Sequence, residues 1–163
     1  LPAVQMPRQH EPRRVRGRAV EHVGVLREDE LEDIAAACSD GAVDGIIVSN
    51  HGGRNFDSSM APIEVLPSIV DAVGSKTTVI VDSGFRRGSD VVKALCIGAK
   101  MVLVGRATLW GTTVGGEAGA ARSINFYREE ISRTMAYLGC ITVPQLNRSF
   151  LETVPTPHVP LTV

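Results

Sequence analysis

Between Gly45 and Leu138 one unit recurs three times: a short apolar run, a polar loop containing glycine, and a stretch with helical patterning. The runs are Gly45-Ile46-Ile47-Val48, Thr78-Val79-Ile80-Val81 and Met101-Val102-Leu103-Val104. They do not alternate apolar with polar, which suits strands covered on both faces. Strand and helix in regular alternation predict a parallel sheet with helical crossovers. In such sheets ligands gather at the C-terminal strand ends. All three polar loops fall at those ends.

The intervening segments carry helix signals. Leu31, Ile34, Ala35 and Cys38 follow an acidic first turn from Glu28, until Ser39-Asp40-Gly41 breaks the pattern. A helix is expected over 62–73, with Pro62 near its start and Ile63, Leu66, Ile69, Val70 and Val73 on one side. Ser89 or Asp90 can cap the next, which carries Val91, Val92, Ala94 and Leu95 and stops at Gly98. A longer one is expected over 117–138, with Ile124, Tyr127, Ile131, Met135 and Leu138 as its apolar stripe.

Composition narrows the function classes. The 163 residues suit one domain, whereas a complete (β/α)₈ barrel usually needs ~250. Apolar residues make up 44% and aromatics 4%, so the core is aliphatic. A net charge of −1 offers no field for nucleic acid or an anionic membrane. The three cysteines, Cys38, Cys96 and Cys140, lie far apart and outside any metal spacing, so reduced thiols are expected. No membrane-spanning run and no secretory leader pattern are found, and a cytoplasmic protein is expected.

The ends differ from the middle. Residues 1–22 mix three prolines with Arg8, Arg13, Arg14, Arg16 and Arg18, and show no periodicity. An irregular segment is expected there, a basic tail for an acidic partner being the other reading. The division expected is 1–22 irregular, 23–150 folded and 151–163 a loose tail.

Two loops invite a phosphate. Asp82-Ser83-Gly84-Phe85-Arg86-Arg87-Gly88 places a glycine, an arginine and a helix start together, and Gly105-Arg106 repeats the arrangement one strand later. Backbone N–H groups at a helix start and a guanidinium fork bind phosphate dianions. One such loop alone would read as a turn with surface charges; two on consecutive strands favour phosphate. Asp82 can accept from ligand hydroxyls or simply cap its loop. In Ser49-Asn50-His51-Gly52-Gly53-Arg54, His51 can accept a proton and Arg54 can grip a carboxylate. A surface or capping histidine is the alternative. His10, His22 and His158 receive no role. No Walker loop and no Gly-x-Gly-x-x-Gly motif is present.

In this order and spacing, IIVSNHGGRNFD, VDSGFRRGSDVVKAL and VLVGRATLWG resemble the C-terminal half of the FMN-dependent 2-hydroxy acid dehydrogenases and oxidases. The wording DSGFRRGSD with GRATLWG is nearest the mandelate-oxidising branch, since most relatives carry glycine where Ser83 stands. The resemblance covers residues 24–140. It implies an α/β fold, a partial (β/α)₈ TIM barrel holding about strands six to eight. It implies FMN as cofactor and oxidation of a mandelate- or lactate-like 2-hydroxy acid to the 2-oxo acid. His51 matches the active-site base, and His51 and Arg54 the substrate-binding pair. Ser49, Asp82, Ser83, Gly84, Phe85, Arg86, Gly105 and Arg106 match the cofactor-binding positions. No metal is implied.

Two departures weaken the expected activity. Val23 stands where the family carries a lysine beside the flavin, and the first four strands, with the histidine's acidic partner, have no counterpart here. A base without its carboxylate partner loses its fixed tautomer. Weak or absent activity in this chain is therefore expected. The alternatives are a non-enzymatic half barrel that binds phosphate, flavin or nothing, and a phosphosugar-binding fragment. Nothing matches the membrane-binding insert of mandelate dehydrogenase, so no membrane association is expected. Open sheet edges predict association between copies.

Overall fold

The structure, a computed structural model, describes residues 21–22, 28–39, 43–54 and 57–152. Four strands form a parallel sheet in chain order: β1 (Glu21–His22), β2 (Gly45–Val48), β3 (Thr78–Val81) and β4 (Met101–Val102). The helices are α1 (Glu28–Ser39), α2 (Pro62–Val73), α3 (Gly88–Ile97) and α4 (Arg106–Tyr137). Each of the first three follows one strand and precedes the next, as the recurring unit predicts.

The register explains the two faces. Glu21 pairs with Ile47, Ile47 with Ile80, and Ile80 with Met101, so these positions form one row across the sheet. The alternate residues Ile46, Val48, Val79 and Val81 are buried with Ile34 and Cys38 of α1, Leu66, Ile69 and Val73 of α2, and Val91 and Ala94 of α3. Ile47 and Ile80 are only half-buried, and Met101 is exposed. The helices thus cover one face, and among the described residues none covers the face that a closed barrel would turn inward.

Three details differ from expectation. Glu21–His22, inside the segment expected to be irregular, pairs parallel with β2; the rest of residues 1–20, with Val23, lies outside the described residues. The third apolar run pairs only over Met101–Val102, not to Val104. Its neighbour β3 ends at Val81, and Ser83 turns away at φ 78°, leaving Leu103 one last bond to the Val81 carbonyl at 2.9 Å. The tail from residue 153 lies outside the described residues.

The third difference is in α4, which starts at Arg106 rather than 117 and breaks at Gly115-Gly116. Its two arms fold against each other at Gly111 and Gly119, where a Cβ on either would run into the other's backbone. Of the expected stripe, Tyr127, Ile131, Met135 and Leu138 pack into the core clusters, whereas Ile124 is exposed. Capping of α3 is also specific. Asp90 Oδ2 accepts from the amides of Arg86 and Arg87 at 3.1 and 3.0 Å, and Glu130 Oε2 accepts from the Gly88 amide at 2.6 Å.

Candidate active site at the strand ends

The loops after β2, β3 and β4 meet at one end of the sheet. The first carries a 3₁₀ turn, His51–Gly53, capped by Asn50, whose Oδ1 accepts from the amides of Gly52 and Gly53 at 3.0 and 3.2 Å. This is the Asx geometry that asparagine supplies to turns. His51 itself adopts a left-handed φ of 54°, a strained conformation of the kind that gathers at functional sites.

A polar relay holds this turn to the next loop. Ser49, buried at 2% exposure, donates to Asp82 Oδ2 at 2.8 Å and accepts from the His51 amide at 3.1 Å. Ser83 donates to the same carboxylate oxygen at 2.9 Å and accepts from the Gly52 amide at 2.9 Å. Asp82 itself continues the sheet through its amide, which donates to the Val48 carbonyl at 2.8 Å. From the third loop, the Arg106 guanidinium donates to the Gly52 carbonyl.

These loops enclose a cleft of about 210 Å³ lined by His51, Asp82, Gly84, Arg86, Gly105 and Arg106, among others. A wider recess of about 660 Å³, lined by Asn50, Asp57, Asp90 and Lys93 among others, shares Gly84, Arg86 and Arg106 with it. Both glycines face open space: a Cβ added to Gly84 or Gly105 would meet nothing within 4 Å. Arg86 lies with its guanidinium carbon 4.8 Å from the centre of the Trp110 ring, and donates to the Phe85 carbonyl at 3.1 Å. Tyr127 donates to that same carbonyl at 2.9 Å. Burial pushes the Tyr127 phenol above its usual range, with Arg86 pulling the other way.

The structure brings His51, Asp82, Ser83, Gly84, Phe85, Arg86, Gly105 and Arg106 to the cleft wall. The Phe85 ring is in the core, so its contribution to the wall is backbone. Ser49 lies beneath the turn rather than on the wall, and exposed Arg54 lines neither cleft nor recess. The helix start expected to offer N–H groups after Gly84 is occupied: the amides of Arg86, Arg87 and Gly88 already serve Asp90 and Glu130. The first turn of α4 holds no acidic residue, and Gly105, Arg106 and Arg86 line the cleft together with Asp82. Sequence reasoning missed Asn50, Trp110 and Tyr127 as supports. Asparagine before two glycines is a turn signal that could have found the first.

Parallel strand–helix units in chain order, with glycines and arginines on consecutive strand ends, define a segment of a barrel-type α/β protein. Comparison with known proteins gives the family. Residues 24–153 match the FMN-dependent dehydrogenases, and the chain belongs to that family. It is 47% identical over 129 residues to L-lactate oxidase from Nostoc sp., covering 79% of this chain and 34% of that protein. It is 43% identical over 134 residues to (S)-mandelate dehydrogenase from Pseudomonas putida, covering 78% of this chain and 33% of that protein. The crystal structure of the monotopic membrane protein (S)-mandelate dehydrogenase superposes with a TM-score of 0.72 at 42% identity, over 82% of this chain and 34% of that one. The chain thus spans about a third of the length of these relatives, and the partial barrel is borne out.

FMN is the cofactor of this family. The residues present fit its phosphate end: two glycines without obstruction and two exposed arginines surround one cleft. At about 210 Å³ the cleft is smaller than the ~300–1,000 Å³ of whole small-molecule sites, so it suits part of the cofactor. Among the described residues no helix is long and apolar enough to cross a membrane, and no cluster of three metal-ligating side chains occurs.

Proposed function

We propose that this chain supplies the phosphate grip and the general base for FMN-dependent oxidation of a small mandelate- or lactate-like 2-hydroxy acid to its 2-oxo acid. One observation carries the reading: His51 shares a single cleft with Gly84, Arg86, Gly105 and Arg106. Arg86 and Arg106 hold the FMN phosphate as charged forks, while Gly84 and Gly105 let it approach the backbone. Asp82, Ser83 and the Phe85 backbone face the ribityl chain, and Ser49 supports the wall beneath the ring. Bound FMN supplies the two-electron acceptor, and the protein supplies orientation and charge.

His51 takes a proton from the substrate on a ring nitrogen. Arg54 binds the substrate carboxylate by swinging from its exposed position over the rim. Groups carried by the other two thirds of the relatives' length are not among these residues, so turnover by this chain alone is slow. The reading also takes the chain to be cytoplasmic and to self-associate through its open sheet edges.

A single-turnover assay tests this reading. The chain is loaded with FMN without oxygen, mixed with (S)-mandelate or L-lactate, and followed by loss of oxidised-flavin absorbance. Slow bleaching that His51→Ala and Arg54→Ala abolish is expected. Bound flavin that stays oxidised would leave only a phosphate- or flavin-binding half barrel.

A further inference from the structure

We propose that the Ser83 hydroxyl is a latch that holds the His51–Gly53 turn in position. Ser83 adopts a left-handed φ of 78°, which a side chain occupies at a cost that glycine does not bear. Its Oγ makes two hydrogen bonds that offset this cost, accepting from the Gly52 amide and donating to Asp82 Oδ2, both at 2.9 Å. It also lies 3.4 Å from Ser49 Oγ.

The geometry is paired. Ser49 accepts from the His51 amide and Ser83 from the Gly52 amide, and both hydroxyls donate to one oxygen of Asp82. Two successive amides of the turn are thereby relayed to a single carboxylate, across 31 residues in the case of Gly52 and Ser83. A bond to a hydroxyl that itself donates to a carboxylate is polarised and strengthened. Glycine at this position would relieve the backbone and remove the relay to Gly52, leaving that amide only its bond to Asn50 at 3.0 Å. Ser83 is therefore a positioning residue for His51. Its relevance to turnover rests on His51 being the base, but the latch is measured without flavin or substrate.

Amide hydrogen exchange of the ¹⁵N-labelled chain tests it in Ser83→Gly and Ser83→Ala. Loss of one hydrogen bond is expected to speed exchange of the Gly52 amide by about three- to ten-fold in both variants. The Asp82 amide, bonded to Val48 within the sheet extension, is expected to keep its rate. The His51 ring cross-peaks are expected to shift, which general loosening elsewhere would not produce alone. Unchanged Gly52 exchange in Ser83→Gly, or Gly52 and Asp82 accelerating together in it, would overturn the latch. If Ser83→Ala fails to fold, Ser83→Gly decides alone, because glycine carries no penalty at that φ. A flavin that binds but never bleaches would defeat the proposed function and leave these exchange results unaffected.

Discussion

The Arg86 guanidinium lies over the Trp110 ring with its carbon 4.8 Å from the ring centre, so the chain's single tryptophan supports an arginine of the proposed phosphate grip. Trp110 belongs to the first arm of α4 and Tyr127 to the second. The break at Gly115-Gly116 lets both reach the Phe85–Arg86 pair. Exposed cation–π pairs are worth ~0.5–1 kcal/mol, so Trp110→Leu is expected to weaken FMN binding about two- to five-fold. Isothermal titration of the two proteins reads this directly. Equal affinities would mean that Arg86 needs no support from the ring.

The two cleft glycines are expected to respond differently to alanine. Gly105 has φ −100° and open space, so Gly105→Ala keeps the fold and loses FMN affinity by occupying the approach path. Gly84 sits at φ 84°, so Gly84→Ala loses affinity and also about 1 kcal/mol of stability. Urea midpoints beside FMN titrations separate the two effects.

Gly88 has a different role, close packing. A Cβ there would lie 2.5 Å from both the Glu130 Cβ and the Ile131 amide nitrogen. Gly88→Ala is expected to lose about 1–3 kcal/mol by overpacking α3 against α4. A melting temperature equal to the parent's would contradict that packing.

The alkaline limb of stability is expected to involve Tyr127. Burial raises its folded value above the ordinary 10.0, so the folded state holds this proton more tightly than the unfolded chain. Its contribution is complete below about pH 10 and is lost as pH rises through the folded value. Burial raises Cys38 and Cys96 above 9.0 in the same direction, so their losses begin lower. Tyr127→Phe is expected to flatten the decline above about pH 10 while leaving the thiol-dependent part, measured by urea denaturation across pH.

Much of this was legible because the local rules agree with the packing. The runs at 45–48 and 78–81 became strands without shift, and α2 spans the expected Pro62–Val73, because Leu66, Ile69 and Val73 all face the sheet. The cleft residues could be named because glycine and arginine recur on consecutive strand ends, where ligands of parallel sheets gather, and because the three linked motifs resemble one family. What stayed hidden depends on long-range geometry. No local pattern in Ser49 or Ser83 shows that both hydroxyls meet one Asp82 oxygen, and no periodicity shows Glu130 capping α3 from another helix. The start of α4 was missed because Gly111, Gly115, Gly116 and Gly119 mask its first arm, which is stabilised by contact between arms rather than by propensity.

The most direct test is a titration of the purified chain with FMN, following quenching of flavin fluorescence, repeated with inorganic phosphate as competitor. Saturable binding that phosphate weakens, and that Arg86→Ala and Arg106→Ala each reduce at least about ten-fold, is expected for a grip built from two charge-assisted forks. Absence of saturable binding, or binding indifferent to phosphate and to both arginines, would contradict the assembled phosphate site.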